Sequence, residues 1–94
     1  MMVRHQMRNN MGQLSQLPNI GKVVEEQLNK VGISTIDELK NIGSREAWFR
    51  IQKIDESACI NRLMALEGAI QNVNKKMLLD EVKKDLKEFY QLHK

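Results

Sequence analysis

Cysteine, proline, tryptophan and tyrosine each occur once in the 94 residues, and phenylalanine twice. Each scarcity removes a class of protein. A single thiol, Cys59, forms no internal disulfide and no thiolate metal cage. It falls in an apolar helical pattern and is expected in the core. His5 and His93 stand near opposite ends of the chain. Paired carboxylates, metal-ligand spacings and a phosphate loop of Walker spacing are all missing, so the residues point to no enzyme, and neither cofactor nor metal is expected. No apolar run is long enough to span a membrane or to form a signal peptide, so a cytoplasmic protein without a membrane partner is expected. With 41% hydrophobic and 29% charged residues, the chain fits one domain around a single core.

Acidic residues are the minority, 12 against 15 Lys and Arg. The excess of three positive charges is modest for a nucleic-acid binder, and its placement says more than its sum. Residues 1–16 carry two positive charges and no negative one, residues 17–43 come to −1, residues 44–72 to zero and residues 73–94 to +2. The stretch around residue 20 is therefore not strongly basic by itself. Affinity for DNA should be weak and salt-sensitive unless the termini or a second subunit contribute.

The one proline marks the stretch that organises the rest: Leu17-Pro18-Asn19-Ile20-Gly21-Lys22. Pro at the entry, Gly at the exit and Ile between them describe a tight reversal whose last residues open a helix. The first N–H groups of a helix lack internal partners and lie at the positive end of its dipole, so they suit phosphate. Lys22 adds a mobile charge. The arrangement resembles the helix-hairpin-helix motif, in which Gly is commonest where Asn19 stands here. Asn is the residue after Gly that best accepts positive φ. Similar Pro-Asn-hydrophobic-Gly-Lys hairpins occur in the C-terminal domain of the bacterial RNA polymerase α subunit. Gly21 is expected to be required by the fold.

Residues 1–12 have no sustained period and read as a mobile, basic N-terminal tail, ahead of a helical domain over 13–94. Leu14 and Leu17 share a helical face. Val24, Leu28 and Val31 then follow the spacing of an amphipathic helix that Gly32 ends. Thr35 and Glu38 make a capping box for a third short helix, to about Ile42. Leu39 to Gly43 echoes Leu17 to Gly21 at a spacing of 22 residues, which suggests either a second, degenerate hairpin or chance similarity. Ser44 is expected to cap a helix to about Ile54 that buries Ala47, Ile51, Ile54 and Trp48. Phe49 points away from that face and is expected either as a marginal core residue or as a contact with another chain.

The next helix is expected from about Ser57 to Asn72, with Cys59, Leu63, Leu66 and Ile70 as its stripe. Gly68 in mid-helix implies close approach by a neighbouring helix, because it costs about 1 kcal/mol relative to Ala. Glu67 is expected to be exposed or paired with a Lys or Arg. A final helix from about Lys75 to Leu92 carries the stripe Leu79, Val82, Leu86 and Phe89, with its lysines either on a solvated face or as a basic surface beside the hairpin.

Taken in order, Leu17 to Lys22, Val31 to Leu39, Ile42-Gly43 and Ala65-Leu66-Glu67-Gly68-Ala69 resemble the C-terminal domain of the TfoX/Sxy family, over about residues 14–90. Those proteins are bacterial regulators of DNA-transformation competence. Family members normally carry a further N-terminal domain, and the aromatic and Pro often found after the Leu-Glu-Gly-Ala helix are replaced here by Asn72 to Leu78. The resemblance implies an all-α fold, a compact bundle of five to six helices with a helix-hairpin-helix motif near the N-terminus. It also implies a regulatory role. Two modes are expected. In the first, Asn19, Ile20, Gly21 and Lys22 contact the phosphate backbone of duplex DNA, weakly and without reading sequence. In the second, the chain is an interaction module that binds a regulatory protein or itself, around Phe49 or the last helix.

Overall fold

The computed structural model of the protein describes residues 13–94, over which the chain is helical and without strands. The tail expected over residues 1–12 lies outside the described residues. A 3-10 turn, Leu14–Gln16, leads into the Pro18 bend. Five α-helices follow among the described residues: α1 Lys22–Lys30, α2 Ile36–Ile42, α3 Ser44–Ile54, α4 Ile60–Gln71 and α5 Asp80–His93. A second 3-10 turn, Lys75–Met77, lies between α4 and α5. Helices α3 and α4 pack together, and α5 lies against both. Leu28, Leu39, Trp48, Ile51, Leu63 and Leu66 meet in the middle, all fully buried. Each such side chain contributes about 1.5–3 kcal/mol through water exclusion.

The helix ends follow the sequence signals closely in the first half. Ile33 N–H donates to Leu28 O at 2.8 Å and Gly32 N–H to Asn29 O at 3.1 Å, with Gly32 at φ +90°. These two bonds complete a Schellman motif, and they drop Ile33 into the core. Thr35 Oγ1 accepts from Glu38 N–H at 3.1 Å, while the Glu38 carboxylate accepts from Thr35 N–H at 3.1 Å. The same carboxylate also accepts from the N–H and hydroxyl of Ser34. These donors, the Ser34 amide foremost, hold the Glu38 carboxyl below its ordinary range.

Further along, several expectations are corrected. Lys40 and Asn41 are helical, so the echo at residues 39–43 does not repeat the bend at 18–19. Gly43, at φ +87°, occupies the cap of α3, and Ser44 is the first helical residue rather than the cap. Its buried hydroxyl donates to Glu67 at 2.6 Å, and Gln71 donates to the other Glu67 oxygen at 2.6 Å. Glu67 is thus tied to α3 by a neutral donor and not by Lys or Arg. Ile54, near the last turn of α3, is 52% exposed.

Helix α4 starts later than expected because Asp55 holds the preceding turn, accepting from the Ser57 amide at 3.0 Å and its hydroxyl at 2.6 Å. The delay puts Ala58 in the core and leaves Cys59 exposed at the cap of α4. Helix α5 starts at Asp80 rather than Lys75, since Asn74 caps the 3-10 turn and Leu78 and Leu79 are extended. Adjacent residues in an extended segment point to opposite sides, so Leu78 is buried and Leu79 is exposed.

Trp48 is the aromatic anchor, edge-on to Phe89 at 5.9 Å and to Tyr90 at 5.5 Å. Its indole N–H has no acceptor among the described residues. Phe49 is half-buried beside it. The Phe49 ring meets His93 edge-on at 5.9 Å and lies 4.7 Å from the Lys53 ammonium.

Asp55 also joins three parts of the fold. Its second oxygen accepts from Gln27 of α1 at 2.7 Å and lies 3.5 Å from Arg62 of α4. The Ser57 hydroxyl first, then the Gln27 amide and the Ser57 N–H, with Arg62 adding to them, pull the Asp55 carboxyl down to about 2. A carboxyl whose pKa is depressed in the folded state contributes stability that is present above its unfolded value and lost as pH falls. Thermal unfolding followed from pH 5 to pH 2 should therefore show a decline, steepest between about 4 and 2, that Asp55→Asn makes shallower. An equal slope in both proteins would remove Asp55 from the linkage.

Close approach does occur at Gly68, but by the Asn19 side chain and the segment after α4 rather than by the neighbouring helix expected there. A Cβ built there lies 2.5 Å from Asn19 Nδ2 and 2.8 Å from Val73 O. Gly68→Ala, which gains helix propensity, should nonetheless destabilise the protein by about 1–3 kcal/mol in denaturant unfolding. A stabilised variant would mean that the neighbours give way freely.

Candidate nucleic-acid interface

Pro18 sets the bend between Leu17 and Ile20, Asn19 follows it at φ +69°, and Ile20 N–H closes the reversal on Leu17 O at 3.4 Å. Pro followed by a residue of positive φ is the pattern of a type II turn, which explains why Asn and not a branched residue stands there. Ile20 is 5% exposed and anchors the turn in the core. Gly21 caps α1 at φ −92° and ψ −175°, with open space where a Cβ would stand. That conformation suits any residue, so the expectation that the fold requires glycine here is corrected.

The side chain of Asn19 turns inward. Its Nδ2 donates to Val73 O at 3.0 Å and to Ala65 O at 3.4 Å, while its Oδ1 accepts from Lys75 N–H at 3.1 Å. One amide thus ties the hairpin to α4, to the loop after it and to the second 3-10 turn. The bonds need Gly68, because any larger residue on that turn of α4 would occupy the same space.

The four residues expected at the site therefore divide. Asn19 and Ile20 send their side chains into the protein, and the Ile20 amide is committed to Leu17. Gly21 and Lys22 face solvent together with Val23, which is 64% exposed. The amides of Gly21, Lys22 and Val23 precede the first intrahelical bond of α1, donated by Glu25 to Gly21 O at 3.0 Å, and find no acceptor among the described residues. Lys22 forms no ion pair among the described residues. Of the nearby carboxylates, Glu25 is buried and accepts from the Ser15 amide at 3.2 Å, whereas Glu26 is exposed.

A basic surface beside the hairpin was one of the two expectations for the lysines of the last helix, and the segment that abuts the hairpin is the 3-10 turn ahead of that helix. Asn19 brings up the backbone of Lys75, and Lys76 follows at the surface. Lys83, at the start of α5, donates its ammonium to Lys76 O at 3.2 Å. The available signal was Asn74, a 3-10 cap rather than a helix interior, whose Oδ1 accepts from Lys76 N–H at 2.9 Å. Phe49 is engaged at the other end of α5. No cluster of three His, Cys, Asp or Glu able to hold a metal occurs among the described residues, and no described helix is long and apolar enough to cross a membrane.

Residues 10–90 match the model of the TfoX C-terminal domain. Protein Sxy of Escherichia coli strain K12 is 29% identical over 82 residues, covering 87% of this chain, while the chain spans 39% of the length of that relative. A crystal structure of an uncharacterized protein from Listeria monocytogenes is 51% identical, with a TM-score of 0.83 over 84% of this chain and 90% of that one. A second crystal structure, of a protein of unknown function from the same organism, is 49% identical, with a TM-score of 0.85 over 87% of this chain and 100% of that one.

Asn19→Gly keeps the backbone conformation and deletes the three side-chain bonds. It should lower stability by about 1–3 kcal/mol in denaturant unfolding, with the backbone groups it leaves unpaired supplying most of the loss. Amide exchange should accelerate at Lys75, whose N–H loses its acceptor. An unchanged rate at Lys75 would show that the staple does not hold the turn.

Proposed function

The chain belongs to the TfoX C-terminal domain family, and from that premise we propose that it is a non-enzymatic regulatory domain, of the kind that controls competence genes, whose hairpin touches the phosphate backbone of duplex DNA. The observation that carries this reading is the exposed start of α1, where unpaired amides of Gly21, Lys22 and Val23 stand beside the unpaired Lys22 ammonium. Such groups suit a polyanion and carry no base code, so contact positions the protein without selecting a sequence. The Asn19 side chain serves this reading from behind, by fixing the turn. Its backbone and that of Ile20 shape the surface more than they donate to it.

A second reading, an interaction module for a regulatory protein or a further copy of the chain, is supported by apolar side chains at the surface. Met77 is 73% exposed and Leu92 is 80% exposed. Phe49, the residue first expected at such a contact, is half-buried against His93.

The two readings separate on charge. Lys22→Glu should abolish binding to a mixed-sequence duplex at low salt, as read by fluorescence anisotropy, and leave unfolding within about 0.5 kcal/mol, as for an exposed site. Undiminished binding would take the hairpin out of the mechanism and favour the interaction module.

A further inference from the structure

We infer that the phosphate-contact surface has a second arm, built by Lys75, Lys76 and Lys83, so that duplex DNA is held between two segments from opposite ends of the described chain. This rests on the reading of the hairpin as a DNA contact and extends it to residues far away in sequence.

Three bonds define the arrangement. Lys75 N–H on Asn19 Oδ1, at 3.1 Å, sets the lysine turn directly against the hairpin. Lys76 N–H on Asn74 Oδ1, at 2.9 Å, fixes the shape of that turn. Lys83 Nζ on Lys76 O, at 3.2 Å, brings a third ammonium over it from α5. Lys22 stands three positions beyond Asn19 on the other side of the junction. None of the four lysines forms an ion pair among the described residues, where the pairs are Arg50 with Glu46 and Arg62 with Asp55.

The carboxylates in this region form no ion pair with the cluster: Asp80 and Glu81 stand in the first turn of α5, Glu26 is exposed on α1, and Glu25 accepts from the Ser15 amide. Lysines gathered on one face without acidic partners leave positive charge uncompensated, and a ligand carrying regularly spaced negative charge neutralises it. Duplex DNA is such a ligand, with one phosphate charge about every 1.7 Å of its axis.

The experiment compares three proteins on one mixed-sequence duplex across a salt series. Lys75→Gln/Lys76→Gln removes two charges and spares the backbone bonds that shape the turn. Lys53→Gln/Lys94→Gln removes two charges near Phe49 and Tyr90, at the far end of α5. The salt dependence of the binding constant should become shallower by about two in the first variant and stay near that of the parent in the second. A parent that binds and a first variant with the parental slope would overturn the second arm and leave the hairpin reading intact. Equal losses in both variants would also overturn it, since net charge and not placement would be responsible. A parent that binds no duplex at any salt would overturn the hairpin reading and this extension together.

Discussion

One side-chain amide, that of Asn19, sets the geometry on which the rest depends. It must adopt positive φ to close the bend after Pro18, and it must reach α4, the following loop and the second 3-10 turn from there. Glycine would satisfy the first demand and fail the second. Asn satisfies both because it is the side-chain-bearing residue best suited to the left-handed region, and because its amide both donates and accepts. Gly68 is the reciprocal half of the same arrangement. Its missing Cβ is the space that the Asn19 amide and Val73 carbonyl fill.

This dependence explains how charge reaches the candidate surface. Residues 17–43 are net negative by one, and taken alone they would repel a polyanion. Residues 73–94 hold an excess of lysines, and the Asn19 bond brings the backbone of Lys75, with Lys76 next to it, against the hairpin. The hairpin segment thus takes its positive surroundings from residues 73–94, which carry +2 by themselves, and the two meet only in the tertiary structure. Gln27, Asp55 and Arg62 do comparable work elsewhere, linking α1, the α3–α4 turn and α4 through partly exposed polar groups.

Much of the architecture was legible in the sequence, and the reasons are local. Gly32 and Ile33 announced a helix end, Thr35 and Glu38 a helix start, and Pro18 with Asn19 a reversal, each through bonds among residues near one another in the chain. The family resemblance added the expectation of a compact all-α bundle. Failures came where a local signal had a rival. Ser44 has the chemistry of a cap, but Gly43 took that place and freed its hydroxyl for Glu67. Cys59 and Leu79 fit helical stripes only if the helices start early, and turns built by Asp55 and Asn74 delay both starts. At the hairpin, Gly21 and Lys22 are exposed as the pattern suggested, but the sequence could not disclose where the Asn19 side chain would go. Its partners lie from 46 to 56 positions away.

That separation carries a temporal consequence. The acceptor for the Lys75 amide is 56 residues upstream, so a ribosome must have synthesised most of the chain before the bend acquires its partner. Until then the reversal rests on Pro18 and a 3.4 Å closing bond. A nascent or prematurely terminated chain would present α1 without the opposing turn, and so would lack the surface that the finished molecule displays.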